Sequence, residues 1–194
     1  MVYGLVTLVP PALEPVTLDE VKAHLRVDVA DEDAYIASLI AAARALSESL
    51  TGRALITQTL QMSLDRWPSC GRAVDLPRAP VQSIVSVEVV DASGSTVAVD
   101  AQDYEVDVLG IPARMMPARG SLWPVPGPRM GGIKITFVAG FGDIPGDIPS
   151  GLRQMLLLLC AHWFERREAV AGDGLAGLPL GIGALMQPFM PVRL

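Results

Sequence analysis

The sequence predicts an α+β fold in which a helical core, two N-terminal helices plus a C-terminal helix, carries a β-rich insertion between the second and third helices. Apolar residues recur at helical spacing in residues 17–53 and again from residue 149. Between these segments, residues 54–148 contain short runs in which apolar and polar side chains alternate, as they do in half-buried strands. The 18 glycines and 16 prolines also favour many turns.

The composition is that of a folded, acidic protein. Hydrophobic residues make up 51% and charged residues 19% of the 194 residues, so the chain is long and apolar enough for one domain with an insertion. Its formal net charge is −6. Sequence-independent DNA binding rests on Lys and Arg that neutralise phosphates, which an acidic chain supplies poorly. The charge is still compatible with a protein past which DNA slides.

The sequence gives no indication of export or membrane insertion. Its first residues lack a basic region and are interrupted by Pro10 and Pro11, so they make a poor signal peptide. The longest dense apolar run, residues 155–161, is far shorter than the roughly 20 residues that span a bilayer. We therefore expect a cytoplasmic product with Cys70 and Cys160 as free thiols, although a disulfide between them stays open.

The chain is predicted to have five parts: an extended N-terminal arm (1–16), a helical hairpin (17–53), the β-rich insertion (54–148), a third core helix (149–168) and an apolar Gly/Pro-rich tail (169–194). The tail is too apolar for a solvated linker and too interrupted for a long helix. It is expected to lie against its own domain or against a partner, and the sequence does not decide between these. Its apolar residues are Leu175, Leu178, Leu180, Ile182, Leu185, Met186, Phe189 and Met190.

The boundaries of the first two helices can be read from capping signals. Thr17 and Glu20 have the spacing of a capping box, in which a hydroxyl and a carboxylate each satisfy a free backbone N–H group. Asp31 is placed to cap the second helix, which is expected to cover about residues 32–50. Gly52 is expected to end that helix.

The second helix carries two stripes of different size. The larger stripe is apolar and is expected to face a core: Ile36, Leu39, Ile40, Ala43, Leu46 and Leu50. The smaller stripe consists of Ala34, Ala37, Ala41 and Ala45. Small side chains let a neighbouring helix approach closely, so this stripe either packs within the chain or faces another subunit.

Four alternating runs predict strands in the insertion, at residues 60–64, 85–89, 104–108 and 133–137. The turn at residues 91–94 is expected to join the second run to Val97 and Val99 in a hairpin. The third core helix is expected to begin near Pro149. Its predicted inward residues are Leu152, Met155, Leu156, Leu159, Cys160 and Trp163.

No set of residues in the sequence is suited to catalysis, cofactor binding or metal coordination. His24 and His162 lie in different predicted helices, without cysteines or carboxylates at metal-ligand spacing. Neither a nucleophile elbow nor a phosphate-binding loop is present. Helix capping explains the acidic residues 31–33. The sequence therefore predicts a protein that is not an enzyme and has no cofactor, and its tryptophans are expected to be core or interface anchors: Trp67, Trp123 and Trp163.

Several segments, taken in order, have sequences similar to those of a known protein family. The most specific is LDEVKAHLRVD at residues 18–28, which is followed by a long segment at 31–59. Later segments are LPRAP at 76–80, YEV at 104–106, SLWP at 121–124, IKITFVAGFG at 133–142 and LLLLCAHWFERRE at 156–168. Over about residues 17–168, the chain resembles the head–tail connector (adaptor) proteins of long-tailed bacteriophages and gene transfer agents.

The resemblance implies a structural protein of the virion neck that is made in the host cytoplasm, has no catalytic activity and contacts no membrane. In this family, copies form a homo-oligomeric ring, commonly of twelve, that joins the portal protein to the stopper or tail-terminator protein. Genomic DNA would pass the lumen without specific binding, since an acidic lumen repels the DNA backbone. In this role the four alanines are the candidate subunit interface, and the apolar tail is the candidate portal-docking segment.

Three other hypotheses stay open. A stopper or tail-completion protein is the first, but such proteins are usually more β-rich and lack the opening helical hairpin. A small enzyme of unrecognised type is the second, and a pocket with clustered buried polar side chains would indicate it. A cellular interaction module unconnected with phage is the third, and gene neighbourhood would identify it.

Overall fold

The structure, a computed structural model, divides the chain into two compact units and describes residues 3–69, 72–128, 130–167 and 180–190. The β unit comprises residues 1–11 and 57–140. The helical unit comprises residues 12–56 and 141–194. Helices and antiparallel sheets occur in the same chain, so the predicted α+β class is confirmed.

The described part of the β unit contains eight strands. They are β1 (Gly4–Val9), β2 (Gln58–Leu64), β3 (Val74–Leu76), β4 (Val81–Val90), β5 (Thr96–Ala98), β6 (Tyr104–Asp107), β7 (Ala113–Pro117) and β8 (Ile133–Ala139). One sheet has the order β1-β2-β8-β4-β5, and a smaller sheet has the order β3-β7-β6. All pairings within both sheets are antiparallel.

The two central strands follow the predicted alternation. In the register of β2 with β8, Leu60 lies opposite Phe137 and Met62 lies opposite Ile135. All four side chains are at most 2% exposed, because directly opposed residues share one face of the sheet. Each such cross-strand pair contributes roughly 0.2–1 kcal/mol. The strands predicted at residues 60–64 and 133–137 are therefore confirmed.

β4 departs from its predicted alternation at one residue. Val87 and Val89 are buried as expected, but Val85 is 59% exposed. The register between β4 and β8 shifts between Ile84 and Ser86, and the extra residue of this bulge turns Val85 away from the core. The predicted hairpin from β4 to β5 is confirmed.

The first strand lies within the segment expected to be an extended arm. β1 pairs with β2 and forms an edge of the five-stranded sheet. Val6 and Val9 on this strand are 60% and 56% exposed. Pro10 and Pro11 follow directly, and they end the pairing because proline has no N–H group to donate.

The helical unit contains four described α-helices: α1 (Leu18–Leu25), α2 (Asp33–Thr51), α3 (Ser150–Glu165) and α4 (Leu180–Met186). The predicted capping box of α1 is confirmed. The Thr17 N–H donates to Glu20 Oε2 at 2.8 Å, and the Glu20 N–H donates to Thr17 Oγ1 at 3.2 Å. Buried side chains from all four helices form one core: Val21, Ile36, Leu39, Ile40, Leu152, Met155, Leu156, Leu159, Ile182 and Met186.

The start of α2 differs from the prediction, whereas its end does not. Glu32, not Asp31, is the N-cap residue, and it makes no side-chain capping hydrogen bond. A backbone turn replaces the side-chain cap, since the Asp33 N–H donates to the Ala30 carbonyl at 3.0 Å. At the other end, Gly52 adopts φ +63° as the predicted stop residue.

α3 begins at Ser150, directly after Pro149, and ends at Glu165. Five of its six predicted inward residues are buried, and Trp163 is partly buried against the same core. Burial raises the pKa of the Cys160 thiol to about 11. Among the described residues, no helix combines the length and the apolar character that crossing a membrane requires.

Candidate functional site

α2 exposes an uncharged surface on the side away from its core stripe. Ala34, Ala37 and Ala45 are exposed and Ala41 is half-buried, while the larger apolar stripe lies in the core of the helical unit. We call these four residues the alanine face. A solvated helix face normally carries charged side chains, but the exposed positions around the alanine face are also small and uncharged: Ser38, Ala42 and Ser49.

An apolar groove of about 320 Å³ adjoins the alanine face at Ala37. Its apolar lining combines the segment before α1, the start of α1, one side of α2 and the turn before α3: Leu13, Val16, Leu18, Ala37, Ile40 and Pro145. Glu14, which also lines the groove, accepts two hydrogen bonds from Arg44, at 2.8 and 3.2 Å. Burial acts to lower the pKa of Arg44, but the hydrogen bonds and charge of Glu14, together with the charge of Glu48, outweigh it and raise that pKa. The carboxylate of Glu14 is thus neutralised within its own subunit.

Buried polar side chains cluster at the C-terminal end of α2. In an enzyme, such a cluster would line a pocket. Most of the hydrogen bonds that these side chains make are to backbone groups of the same region, and Glu48 Oε2 also lies 3.8 Å from Arg44 Nη1. Ser47 Oγ donates to the Ala43 carbonyl at 2.6 Å, and Thr51 Oγ1 donates to the Ser47 carbonyl at 2.7 Å. Glu48 Oε1 accepts from the Leu55 N–H at 3.0 Å. These contacts stabilise the turn after α2, so these polar side chains have a structural role.

Arg53 joins that turn to the C-terminal segment. Its side chain is buried, and its Nε donates to the Phe189 carbonyl at 3.2 Å. Burial lowers the pKa of this guanidinium, because desolvation disfavours its charge. The hydrogen bond satisfies a charged group that would otherwise be costly to bury.

Part of the predicted portal-docking tail lies in the core of the helical unit. Ile182 and Met186 are 2% and 5% exposed, and Leu185 and Phe189 are partly buried against the same core. Met190 is 42% exposed. The other residues of the predicted segment are outside what the structure describes: Leu175 and Leu178 entirely, and Leu180 in its side chain.

A loop between β7 and β8 is fixed by stacked aromatic rings. The rings of Trp67 and Trp123 are stacked with their centroids 4.1 Å apart, and Tyr104 lies 6.4 Å from Trp123. Trp67 Nε1 also donates to the Pro124 carbonyl at 2.8 Å. We call residues 118–128 the tryptophan loop.

Hydrogen bonds hold both ends of the tryptophan loop. Near its start, Ser121 Oγ donates to Asp103 Oδ1 at 2.9 Å, and at its end the Gly127 N–H donates to the Val90 carbonyl at 2.8 Å. Between these points, Leu122 is 89% and Val125 is 84% exposed. The sequence showed a proline-rich loop here, but only the tertiary structure shows that it is fixed and presents apolar side chains.

The histidines and the acidic residues 31–33 do not form a common site. His24 is exposed on α1 and His162 is half-buried on α3. Asp33 pairs with Lys22, and Glu32 Oε2 pairs with Arg167 Nη2 at 2.9 Å. In the part of the chain that the structure describes, no group of three His, Cys, Asp or Glu side chains could hold a metal ion.

Comparison with known proteins relates the chain to a family. The family model of the phage gp6-like head–tail connector protein matches residues 15–108. A chain in the virion of a native gene transfer agent particle is 32% identical with a TM-score of 0.78, and the match covers 100% of this chain and 97% of that chain. No curated protein matches significantly.

Two further structures are particle necks. A chain in the neck of the empty gene transfer agent particle, computed with C6 symmetry, is 33% identical with a TM-score of 0.78. A chain in the neck of the native particle, computed with C12 symmetry, is 31% identical with a TM-score of 0.75. Both matches cover 100% of this chain and 97% of the other. The family predicted from the sequence is confirmed: the chain belongs to the phage gp6-like head–tail connector proteins, structural components of virions.

Proposed function

We propose that twelve copies of this chain form a ring in the neck of a phage-like particle, between the portal protein and the stopper or tail-terminator protein. Genomic DNA passes through the ring without specific binding. The observation that carries this proposal is the match over the whole chain, at 31–33% identity, to chains in a virion and in necks with sixfold and twelvefold symmetry. A ring of twelve is compatible with both symmetries. The role needs no catalytic residue, and we assign none.

The alanine face is our candidate for the main contact between neighbouring subunits. It is exposed in a single copy, and it carries no charge that would have to be desolvated on contact. Alanine side chains let two helices approach closely, so that backbone and side chains pack without voids. The length of α2, Asp33–Thr51, provides several turns for such packing.

The C-terminal segment is our candidate for contact with the portal. Ile182 and Met186 hold α4 in the core of its own subunit, so their side chains serve as an anchor there. Met190 is partly exposed directly after this anchor. Among the described residues of this segment, we therefore assign portal contact to Met190, with α4 as the fixed base.

The acidic charge supports a DNA passage. With a net charge of −6 on each chain, a ring has an excess of carboxylates that repel phosphates. A ring whose lumen is lined mainly by Lys and Arg would contradict this part of the proposal.

The proposal is tested by removing the gene from cells that produce the particle. Filled heads without tails should accumulate, and the unchanged gene should restore tailed particles. Ala41→Glu together with Ala45→Glu should fail to restore them, because two carboxylates would be buried at the subunit contact. Ala23→Glu, at an exposed position on α1, is the matched control and should restore them. Normal tailed particles without the gene would refute the proposed function.

A further inference from the structure

The tryptophan loop and the apolar groove are unlike surfaces on different units of one chain. We propose that the tryptophan loop of one copy docks with Leu122 and Val125 in the apolar groove of the next copy in the ring. This inference rests on the proposed function, because it requires a ring. It adds a second contact to the alanine face and assigns an occupant to the groove.

The tryptophan loop is built to present two apolar side chains. Leu122 and Val125 flank Trp123 and Pro124, which are only partly exposed. Trp123 stacks on Trp67, and the Pro124 carbonyl accepts a hydrogen bond from Trp67. Apolar side chains that are exposed close together on a surface can form a contact with another molecule, whereas single exposed ones are common. Because the stacked rings and the terminal hydrogen bonds already fix the backbone, little conformational entropy is lost when the loop binds.

The groove offers a complementary concave surface. Its floor includes the buried side chains of Val16 and Ile40, and Leu13, which is 50% exposed, forms part of its lining. Among the described residues that line it, Glu14 is the only one with a charged side chain, and it is paired with Arg44. An incoming Leu or Val therefore meets apolar atoms and a neutralised carboxylate.

Ring symmetry points to a second copy as the occupant. In a cyclic ring of more than two subunits, each contact joins one surface of a subunit to a different surface of its neighbour. A related chain lies in a neck computed with C12 symmetry. A convex apolar loop and a concave apolar groove on the same chain are the two unlike surfaces that such a contact requires.

Charges beside the two surfaces are also complementary. Arg119 is exposed at the start of the tryptophan loop. Asp19 is exposed next to Leu18, which lines the groove. Opposite charges at the rim of an apolar contact favour the correct register and disfavour wrong partners.

The first test uses Leu122→Asp combined with Val125→Asp. Both positions are exposed in the single chain, so the purified variant should unfold at the temperature of the unchanged protein. Particles made with it should contain at least about tenfold fewer necks with a ring, because two carboxylates would be buried in an apolar groove. Leu109→Asp is the matched control, since Leu109 is 91% exposed on another loop of the β unit and should leave the ring intact.

The second test identifies the occupant. Particles carrying both Leu13→Cys and Leu122→Cys are treated with a short bismaleimide, and denaturing gels should show a ladder of linked copies of this chain. Either substitution alone should give no ladder. Any of three results would overturn the inference while the ring remains. They are unchanged rings in the double aspartate variant, the absence of a ladder, and linkage of Leu122→Cys to a different protein. Unmodified necks without a ring of this chain would instead refute the proposed function.

Discussion

The indole of Trp67 stacks on the indole of Trp123 at a centroid distance of 4.1 Å and an interplanar angle of 8°. Trp67 lies between β2 and β3, whereas Trp123 lies between β7 and β8. The stack therefore ties two distant loops of the β unit together. We expect the stack to help hold the tryptophan loop in place, and its contribution to stability can be measured.

Replacing Trp67 should destabilise the β unit and release the loop. Trp67→Ala removes the stack and the hydrogen bond to Pro124, and it should lower the free energy of unfolding by about 2 kcal/mol, less than for a fully buried tryptophan. Trp67→Phe keeps an aromatic ring but loses the indole N–H donor, and it should lower the free energy of unfolding by about 1 kcal/mol. Urea unfolding measures both changes, and hydrogen exchange should accelerate at residues 121–127. Equal stability of Trp67→Ala and the unchanged protein would contradict this account.

Gly127 is required by a close backbone contact. A Cβ atom there would lie 2.4 Å from the Asp91 carbonyl oxygen and 2.8 Å from its carbon, so the backbone would have to move. Gly127→Ala should lower the free energy of unfolding by about 2 kcal/mol. In Gly183→Ala, the added Cβ meets no atom of the described residues within 4 Å, and this change in α4 should be neutral or stabilise by about 0.5 kcal/mol. Equal effects of the two changes would show that the Asp91 contact is unimportant.

Glu20 should stabilise the start of α1 in its ionised form. The Thr17 N–H, above all, and Arg153 favour the carboxylate and lower the pKa of Glu20, although burial opposes them. The Glu20 side chain is 39% exposed, so solvent screens the ion pair. Glu20→Gln should therefore lower the free energy of unfolding by only about 1 kcal/mol at neutral pH.

The pH dependence of this effect has a definite sign. The folded-state pKa of Glu20 lies below the ordinary Glu value of about 4.3, so its carboxylate contributes to the free energy of unfolding at pH values above about 4.3. This contribution disappears as the pH falls through the folded-state pKa. The difference between the unchanged protein and Glu20→Gln should thus shrink in acid. Urea unfolding at several pH values measures it, with the exposed Glu105→Gln as control. A difference that grows in acid would contradict the sign.

The anchor of the C-terminal segment can be separated from its proposed contact with the portal. Ile182→Ala should lower the free energy of unfolding by about 3 kcal/mol, because it leaves a cavity in the core of the helical unit. Met190→Asp lies at a partly exposed position and should leave stability nearly unchanged while weakening portal binding. Thermal unfolding and co-purification with the portal distinguish the two. Unchanged portal binding by Met190→Asp would remove Met190 from the contact.

Local signals in the sequence predicted the structure correctly where residues that are close in the chain determine the conformation. The Thr17–Glu20 capping box and the stop at Gly52 were predicted because their partners lie within a few residues. The alternation in β2 and β8 was equally readable, since both strands are central. β1 was not recognised as a strand because its apolar residues do not alternate with polar ones at an exposed edge.

Long-range contacts explain the remaining differences. No local pattern shows that Trp67 meets Trp123, or that Ile182 in a glycine-rich segment enters the core. The bulge at Val85 is set by pairing with β8, which lies about 50 residues further along the chain. The exposed alanine face was visible as a stripe, but its exposure depends on which side of α2 the other helices cover.

The chain passes between the two units after residues 11, 56 and 140, so neither unit is a continuous stretch of sequence. During synthesis from the N-terminus, β1 emerges before β2 and has no partner until β2 follows, while α1 and α2 lack α3 until residues 150–165 are made. Apolar surface of both units is therefore unburied until late in translation, which favours aggregation of incomplete chains. A nascent chain of this protein should depend on chaperones more than one whose units follow each other in sequence.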